Sequence, residues 1–259
     1  MLALLKKEIR TFLSSLIGYI VIAVFLLLVS LFMWVFPGDW NTLDAELADL
    51  DTLFYIAPWV FMFLVPAITM RSLSEEKRTG TIELLLTKPL SDLQIVLAKY
   101  LGGLTLVLIS LLPTLIYFGT VYMIGNPVGN VDNGGTWGSY IGLLLLGSAF
   151  VSIGIFTSSV TPNQIVSFLV SAILCFFLFI GFESLGSFDL FGPADELIIS
   201  LGMYDHYKSL SRGLIDSRDV MYFVGLTAFS MNFSNSLSSK SSFLSCIFIS
   251  TSAAICSTQ

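Results

Sequence analysis

The chain has 259 residues, 55% of them hydrophobic and only 12% charged, with a formal net charge of −6 at neutral pH. A mean hydropathy of +0.88 lies outside the soluble range, in which about 25% of residues are charged, so an ordinary soluble domain is excluded. The acidic balance does not point to a cationic partner, because acids and bases are segregated along the chain, and Cys175, Cys246 and Cys256 show neither metal-ligand spacing nor an even disulfide framework.

At the N-terminus, Leu2, Leu5, Ile9, Phe12 and Leu13 fall at helical spacing, with Lys6, Lys7 and Arg10 on the other side. That pattern predicts an interfacial helix over residues 1–14 lying on anionic headgroups. The run 16–36 is long enough, at about 1.5 Å per residue, to cross a ~30 Å hydrocarbon core, and no small-residue cleavage site follows it. It reads as an uncleaved first span.

Residues 37–51 carry Asp39, Asp44, Glu46, Asp49 and Asp51 without a base, which places this loop outside and the N-terminus inside. A second span follows over 54–70, interrupted by Pro58 and Pro66, whose freed carbonyls neighbouring helices can satisfy. The stretch 71–99 then holds five of the chain's twelve basic residues and returns to the inner face.

Within it, Gly80 breaks the helix arriving from Ser74 to Thr79, Thr81 caps a short element carrying Ile82, Leu84, Leu85 and Leu86, and Pro89 ends it. Ser91 and Gln94 have capping-box spacing, so a new helix starts there and runs through Lys99 into a third span over 100–124. A push on the short element would pass along this rod into the membrane.

Residues 126–137 form a Gly/Asn loop with Asp132 and no base, again outside. A fourth span over 138–160 is rich in Gly and Ser, and a tight turn at Thr161-Pro-Asn-Gln164 leads to a fifth over 165–182. The segment 183–219 holds apolar pieces too short to span, which predicts an outer segment dipping partly into the membrane.

A sixth span starts at Val220 and is expected to stop near Phe229, because eleven serines crowd residues 230–259. Two readings of this tail stand: a shifted reading frame that replaces the end of a sixth helix, or a poorly ordered Ser-rich terminus.

Most chemistry is absent. There is no Gly-x-x-x-x-Gly-Lys-Ser/Thr loop, so any ATP-driven work belongs to another subunit. His206 is the single histidine, without ligand spacing, and reads as a surface or interfacial side chain; no catalytic, cofactor or metal site is expected. No Gly-x-Ser-x-Gly elbow appears, and the spans hold almost no ionisable groups, which argues against acyl transfer and against an ion-coupled transporter.

The order Gly80-Thr81, Glu83, Leu84-Leu85, Pro89, Ser91 and Lys99 resembles the signature of ABC-2 type transporter permeases. The resemblance extends to the amphipathic N-terminus, the acidic first loop and Leu210 to Phe223, covers residues 1–229, and is nearest to the gliding-motility-associated permeases of the GldF type from Bacteroidota. It implies an all-α polytopic membrane protein. Its fold would be a six-helix ABC-2 (type V exporter-like) transmembrane domain with an N-terminal interfacial helix, in the bacterial inner membrane.

The implied function is a non-catalytic permease subunit, pairing with a second permease chain and with cytoplasmic ABC ATPase subunits, and linked to gliding motility or its secretion machinery. Carried over to this chain, Gly80, Thr81, Ile82, Glu83, Leu84, Leu85 and Pro89 are the ATPase-coupling residues, and the plainer reading of that stretch is a positive loop followed by a helix start. Glu183, Asp205, Arg212 and Asp219 form a candidate outer gate, against the plainer reading of the last three as a solvated face. A non-transporting scaffold anchoring a motility or secretion complex is the alternative function.

Overall fold

The structure, a computed structural model, describes residues 2–38, 40–44, 49–79, 92–187 and 195–256, and every regular element among them is helical. Helix α1 covers Leu2–Leu13 and α2 covers Leu16–Ser30, closed by a π-helical turn at Leu31–Val35; α3 covers Asp51–Thr69 and α4 Ser74–Thr79. Helix α5 runs over Asp92–Leu111 and, after a 3-10 turn at Leu112–Thr114, α6 over Leu115–Ile124; α7 spans Asn133–Val160 and α8 Gln164–Phe176, followed by a second π-turn at Phe177–Gly181. Short helices α9 (Phe182–Gly186), α10 (Asp195–Ser200) and α11 (Met203–Leu210) precede α12, Ser217–Cys256.

Five stretches are long and apolar enough to cross a membrane: Gly18–Val35, Asp51–Thr79, Leu93–Ile124, Asn133–Val160 and Gln164–Gly186. The 40-residue α12 is not among them. Its helix nevertheless continues past Phe229 to Cys256. Serines lower its hydropathy without breaking its backbone, because a Ser hydroxyl at helical spacing can bond back onto the preceding turn.

Helix α7 forms the centre of the bundle and packs against α3, α5, α8, α11 and α12. It starts at Asn133 because the Asp132 carboxylate caps it, accepting the Gly135 N–H at 3.0 Å, and it ends at Thr161 because Pro162 cannot extend it. Its small residues set how closely neighbours approach. A Cβ on Gly147 would stand 2.8 Å from Val107 Cγ1 of α5, and one on Gly154 would overlap the Thr69 hydroxyl of α3. Lipid offers no hydrophobic drive between helices, so this close backbone contact supplies the packing energy.

Most of the polar side chains inside bond to their own helix: Ser148, Ser152, Thr157 and Ser159 of α7 each donate to the carbonyl three residues back. Around them Phe25, Phe61, Phe150, Phe179 and Phe223 form a fully buried aromatic core.

Pro58 illustrates how the interior accommodates a helix defect. Lacking an N–H, it leaves the Phe54 carbonyl of α3 without its intrahelical donor, and the buried Tyr207 hydroxyl of α11 donates to that oxygen at 2.6 Å. This bond ties the first turn of α3 to the short helices that precede α12. Tyr207→Phe should lower stability by about 1–3 kcal/mol, the cost of an unpaired buried acceptor, read as a drop in melting temperature of the solubilised protein. Tyr222→Phe, whose hydroxyl donates to the Leu201 carbonyl at an exposed position, should cost less.

Candidate functional site

The predicted coupling residues Gly80, Thr81, Ile82, Glu83, Leu84, Leu85 and Pro89, together with Ser91, lie outside the described residues. What the structure describes is how both flanks of that segment, α4 before it and α5 after it, are held.

Lys99 stands in the second turn of α5, where the helix enters its apolar run, and only 2% of its surface is exposed. A buried ammonium carries three N–H donors that need acceptors. All three have one: Glu76 Oε1 of α4 at 2.8 Å, Glu8 Oε1 of α1 at 3.3 Å and the Ser72 carbonyl, in the turn between α3 and α4, at 2.6 Å.

Helix geometry explains the convergence. Leu4 and Glu8, one turn apart on α1, form its buried stripe, while Lys6, Lys7 and Arg10 stay exposed. Leu4 packs on Ile95 and Ala98 of α5. One turn further, Gly102 removes the side chain that would block α1, since a Cβ there would sit 3.1 Å from Glu8 Cβ. The Glu8 carboxylate is thereby laid over Lys99.

Helix α4 has only six residues, too short to hold alone, and its neighbours fix it at both ends. The Ser158 hydroxyl of α7 accepts the Leu73 N–H at 2.9 Å and the Ser74 N–H at 3.0 Å, acting as an N-cap supplied by another helix. At the far end of α4, Lys77 donates to the Ser159 carbonyl, where the last turn of α7 presents acceptors and a negative dipole end. The chain therefore enters the undescribed segment from a helix clamped to α7, and leaves it in a helix clamped to α1 and α4 through Lys99.

Beside the cluster a cavity of about 330 Å³ opens, with Lys7, Arg71 and Glu75 at its wall. Among the described residues one oxygen of Glu76, Oε2, is buried without a hydrogen-bond partner.

The four residues of the candidate outer gate do not form one cluster. Glu183, half-buried in α9, and the exposed Arg212 both act on Tyr204, whose phenol is pushed above its usual range first by burial, then by Glu183, with Arg212 opposing. Asp205 is exposed. Asp219 is buried rather than solvated: its Oδ1 lies 2.7 Å from His206 Nδ1, and the imidazole stacks on Tyr222 at 4.1 Å between ring centroids. The other imidazole nitrogen meets the Ser200 carbonyl at 2.9 Å, so His206 joins α10, α11 and α12.

Sequence reasoning singled out Lys99 but not Glu8, Glu76 or Ser158 as its companions. Glu8, the one acid among Lys6, Lys7 and Arg10, was a faint signal; Glu76, beside Glu75 in a stretch of mixed charge, and a serine among many on α7 offered none.

A model of the family described as ABC-2 family transporter protein matches residues 2–190. The chain belongs to this family. No curated protein matches it. As a member of the ABC-2 family it is a multi-pass membrane protein and a permease component of a transporter, of a kind that is generally non-catalytic and typically works with an ATP-binding subunit. The match takes in Glu8, Glu76, Lys99 and Ser158.

Removing one member of a buried ion-pair cluster costs about 3–5 kcal/mol when it strands a charge. Lys99→Met strands two carboxylates and should lower the melting temperature of the solubilised protein far more than Glu8→Gln, which leaves Lys99 its Glu76 and Ser72 partners. Adding Glu8→Gln and Glu76→Gln to Lys99→Met should recover part of the loss; no recovery would show that the cluster acts through packing and not through charge.

Proposed function

We propose that this chain is the membrane-spanning subunit that couples ATP hydrolysis by a separate cytoplasmic subunit to transport, with residues 80–91 as the docking element and the Lys99 cluster as the rigid seat that passes its movement on. The observation that carries this reading is the clamp itself. Helices on both sides of the 80–91 segment are joined to α1, α5 and α7 by buried charge and by a cap supplied from α7, so a displacement that reaches either flank is shared with those helices. The transition would be a rigid-body shift of packed helices.

The remaining features fit this arrangement. Basic residues at α1 and around 71–99 and the acidic 37–51 loop support an N-terminus on the cytoplasmic side of the bacterial inner membrane, with α12 as a sixth span. In that orientation α1 lies along the inner surface with Lys6, Lys7 and Arg10 toward anionic lipid. Most of the surface of the α2 and α8 spans is uncovered by this chain, which leaves room for a second permease chain, the same or different. Glu183, Asp205, Arg212 and Asp219 would serve as the outer gate, with Glu183 and Arg212 disposed around Tyr204 and Asp219 locked to His206. The sequence resemblance to the GldF type supports a task in gliding motility or its secretion machinery.

The test is affinity purification of the tagged chain from gently solubilised membranes, beside a Gly80→Pro, Glu83→Ala double substitution, followed by an ATPase assay. An ATP-binding subunit that accompanies the intact chain and is lost with the substituted one is the expected result. Absence of any ATPase from both, with insertion intact, would sink the coupling reading in favour of a scaffold anchoring a larger assembly.

A further inference from the structure

A cavity of about 690 Å³ opens at the end of the bundle where α3 and α7 begin, away from the Lys99 cluster. Its rim carries charges of both signs: Asp49 and Asp51 before and at the start of α3, Asp132 capping α7, and Lys208 and Arg212 at and after the end of α11. Among the described residues none of these five takes part in a salt bridge. Burial, and then the neighbouring Asp51 carboxylate, push the Asp49 carboxyl up, as crowded negative charge lacking a cation should.

A second cavity of about 610 Å³ runs down between α2 and α3, along Val24, Leu28, Phe32 and Phe63. It is apolar and lies on the side of spans that this chain leaves uncovered. Trp40, Tyr55 and Trp59 line both cavities, with the Trp40 and Tyr55 rings 4.5 Å apart, so one aromatic wall divides a charged chamber from an apolar groove. Both volumes fall in the ~300–1,000 Å³ range of small-molecule sites.

We propose that these two cavities together form a binding site for one amphiphile, a phospholipid with an ammonium and a phosphate in its headgroup, seated with the headgroup in the charged chamber and an acyl chain in the groove. The chemistry of the wall matches this occupant at each level. Carboxylates Asp49 and Asp51 and the faces of Trp40 and Tyr55 favour an ammonium, Lys208 and Arg212 favour a phosphate, and the apolar groove opens toward hydrocarbon. A free sugar or a peptide would use the chamber and leave the groove empty. The inference rests on the chain being embedded in a membrane and not on its coupling to an ATPase, so failure of the coupling experiment leaves it standing.

The test uses the full chain carrying Trp34→Phe and Trp137→Phe, so that emission comes from Trp40 and Trp59. In phosphatidylglycerol vesicles, brominated phosphatidylethanolamine or brominated phosphatidylglycerol is titrated to equal mole fraction and tryptophan quenching is followed. A site with this chemistry should reach half-quenching at about fivefold lower mole fraction of the phosphatidylethanolamine, the scale of one cation–π contact of about 1 kcal/mol. Asp49→Asn with Asp51→Asn should remove that difference. Equal quenching by both lipids, the signature of a non-selective lipid ring, overturns the proposal, as does a preference that survives the aspartate changes. Native mass spectrometry of the unaltered chain from mixed-lipid nanodiscs gives a reading without substitutions: retention of phosphatidylethanolamine over phosphatidylglycerol is expected, and no preference is contrary.

Discussion

A lysine at the start of an apolar helix must either reach water or find acceptors, and Lys99 finds acceptors. Its helix could not hold this position without Glu8, Glu76 and the Ser72 carbonyl, because a bare buried ammonium would cost more than the packing around it returns. The requirement also works in reverse. Glu8 fixes α1 across α5, and Glu76 fixes α4 beside it, so three elements far apart in sequence take their mutual positions from one side chain. A hydrophobic contact in the same place would tolerate sliding; three directed bonds to one ammonium do not.

Helix α7 plays the complementary part. Its glycines admit α3 and α5 to close range, and its serines cap α4 from outside while bonding their own backbone elsewhere. Small residues thus serve twice: they allow contact where lipid would otherwise compete, and they present hydroxyls and carbonyls at the last turn, where α4 and Lys77 need them. Larger side chains on this face would separate α3 from α7 and leave the Leu73 and Ser74 N–H groups without their acceptor.

Much of the architecture was legible because membrane composition restricts the alternatives. Long apolar runs bounded by Pro, Gly and charge leave helices as the spanning form, and Pro162 and Asn163 mark the turn between α7 and α8; the Asp132 cap, which starts α7 at Asn133 inside the stretch read as a loop, was not recognised. The continuity of α12 was not legible. A count of serines measures hydropathy, whereas helix formation depends on backbone bonding that serine does not forbid. Nor were the companions of Lys99: pairing across 91 residues in sequence leaves no periodic trace, and Glu8 looks like a solvated acid until Gly102 is known to bring α1 onto α5. Asp219 misled in the same way, since its partner His206 lies on another helix and its burial arises from the packing of α12 on α11.

Helix α3 is the element that touches both ends of the molecule. Its first turns line the two cavities and are held by Tyr207 through the carbonyl that Pro58 leaves open; its last turn passes through Met70 to Ser72, whose carbonyl binds Lys99. A 19-residue helix with proline at two interior positions would bend readily if the freed carbonyls were left to water. With Tyr207 filling one of them, the helix is stiffened at the end where it meets the charged chamber. On the proposed coupling reading, α3 is the element that links the Lys99 end to the wall shared by Trp40, Tyr55 and Trp59, and Tyr207 closes the joint at Pro58, the one nearest that wall.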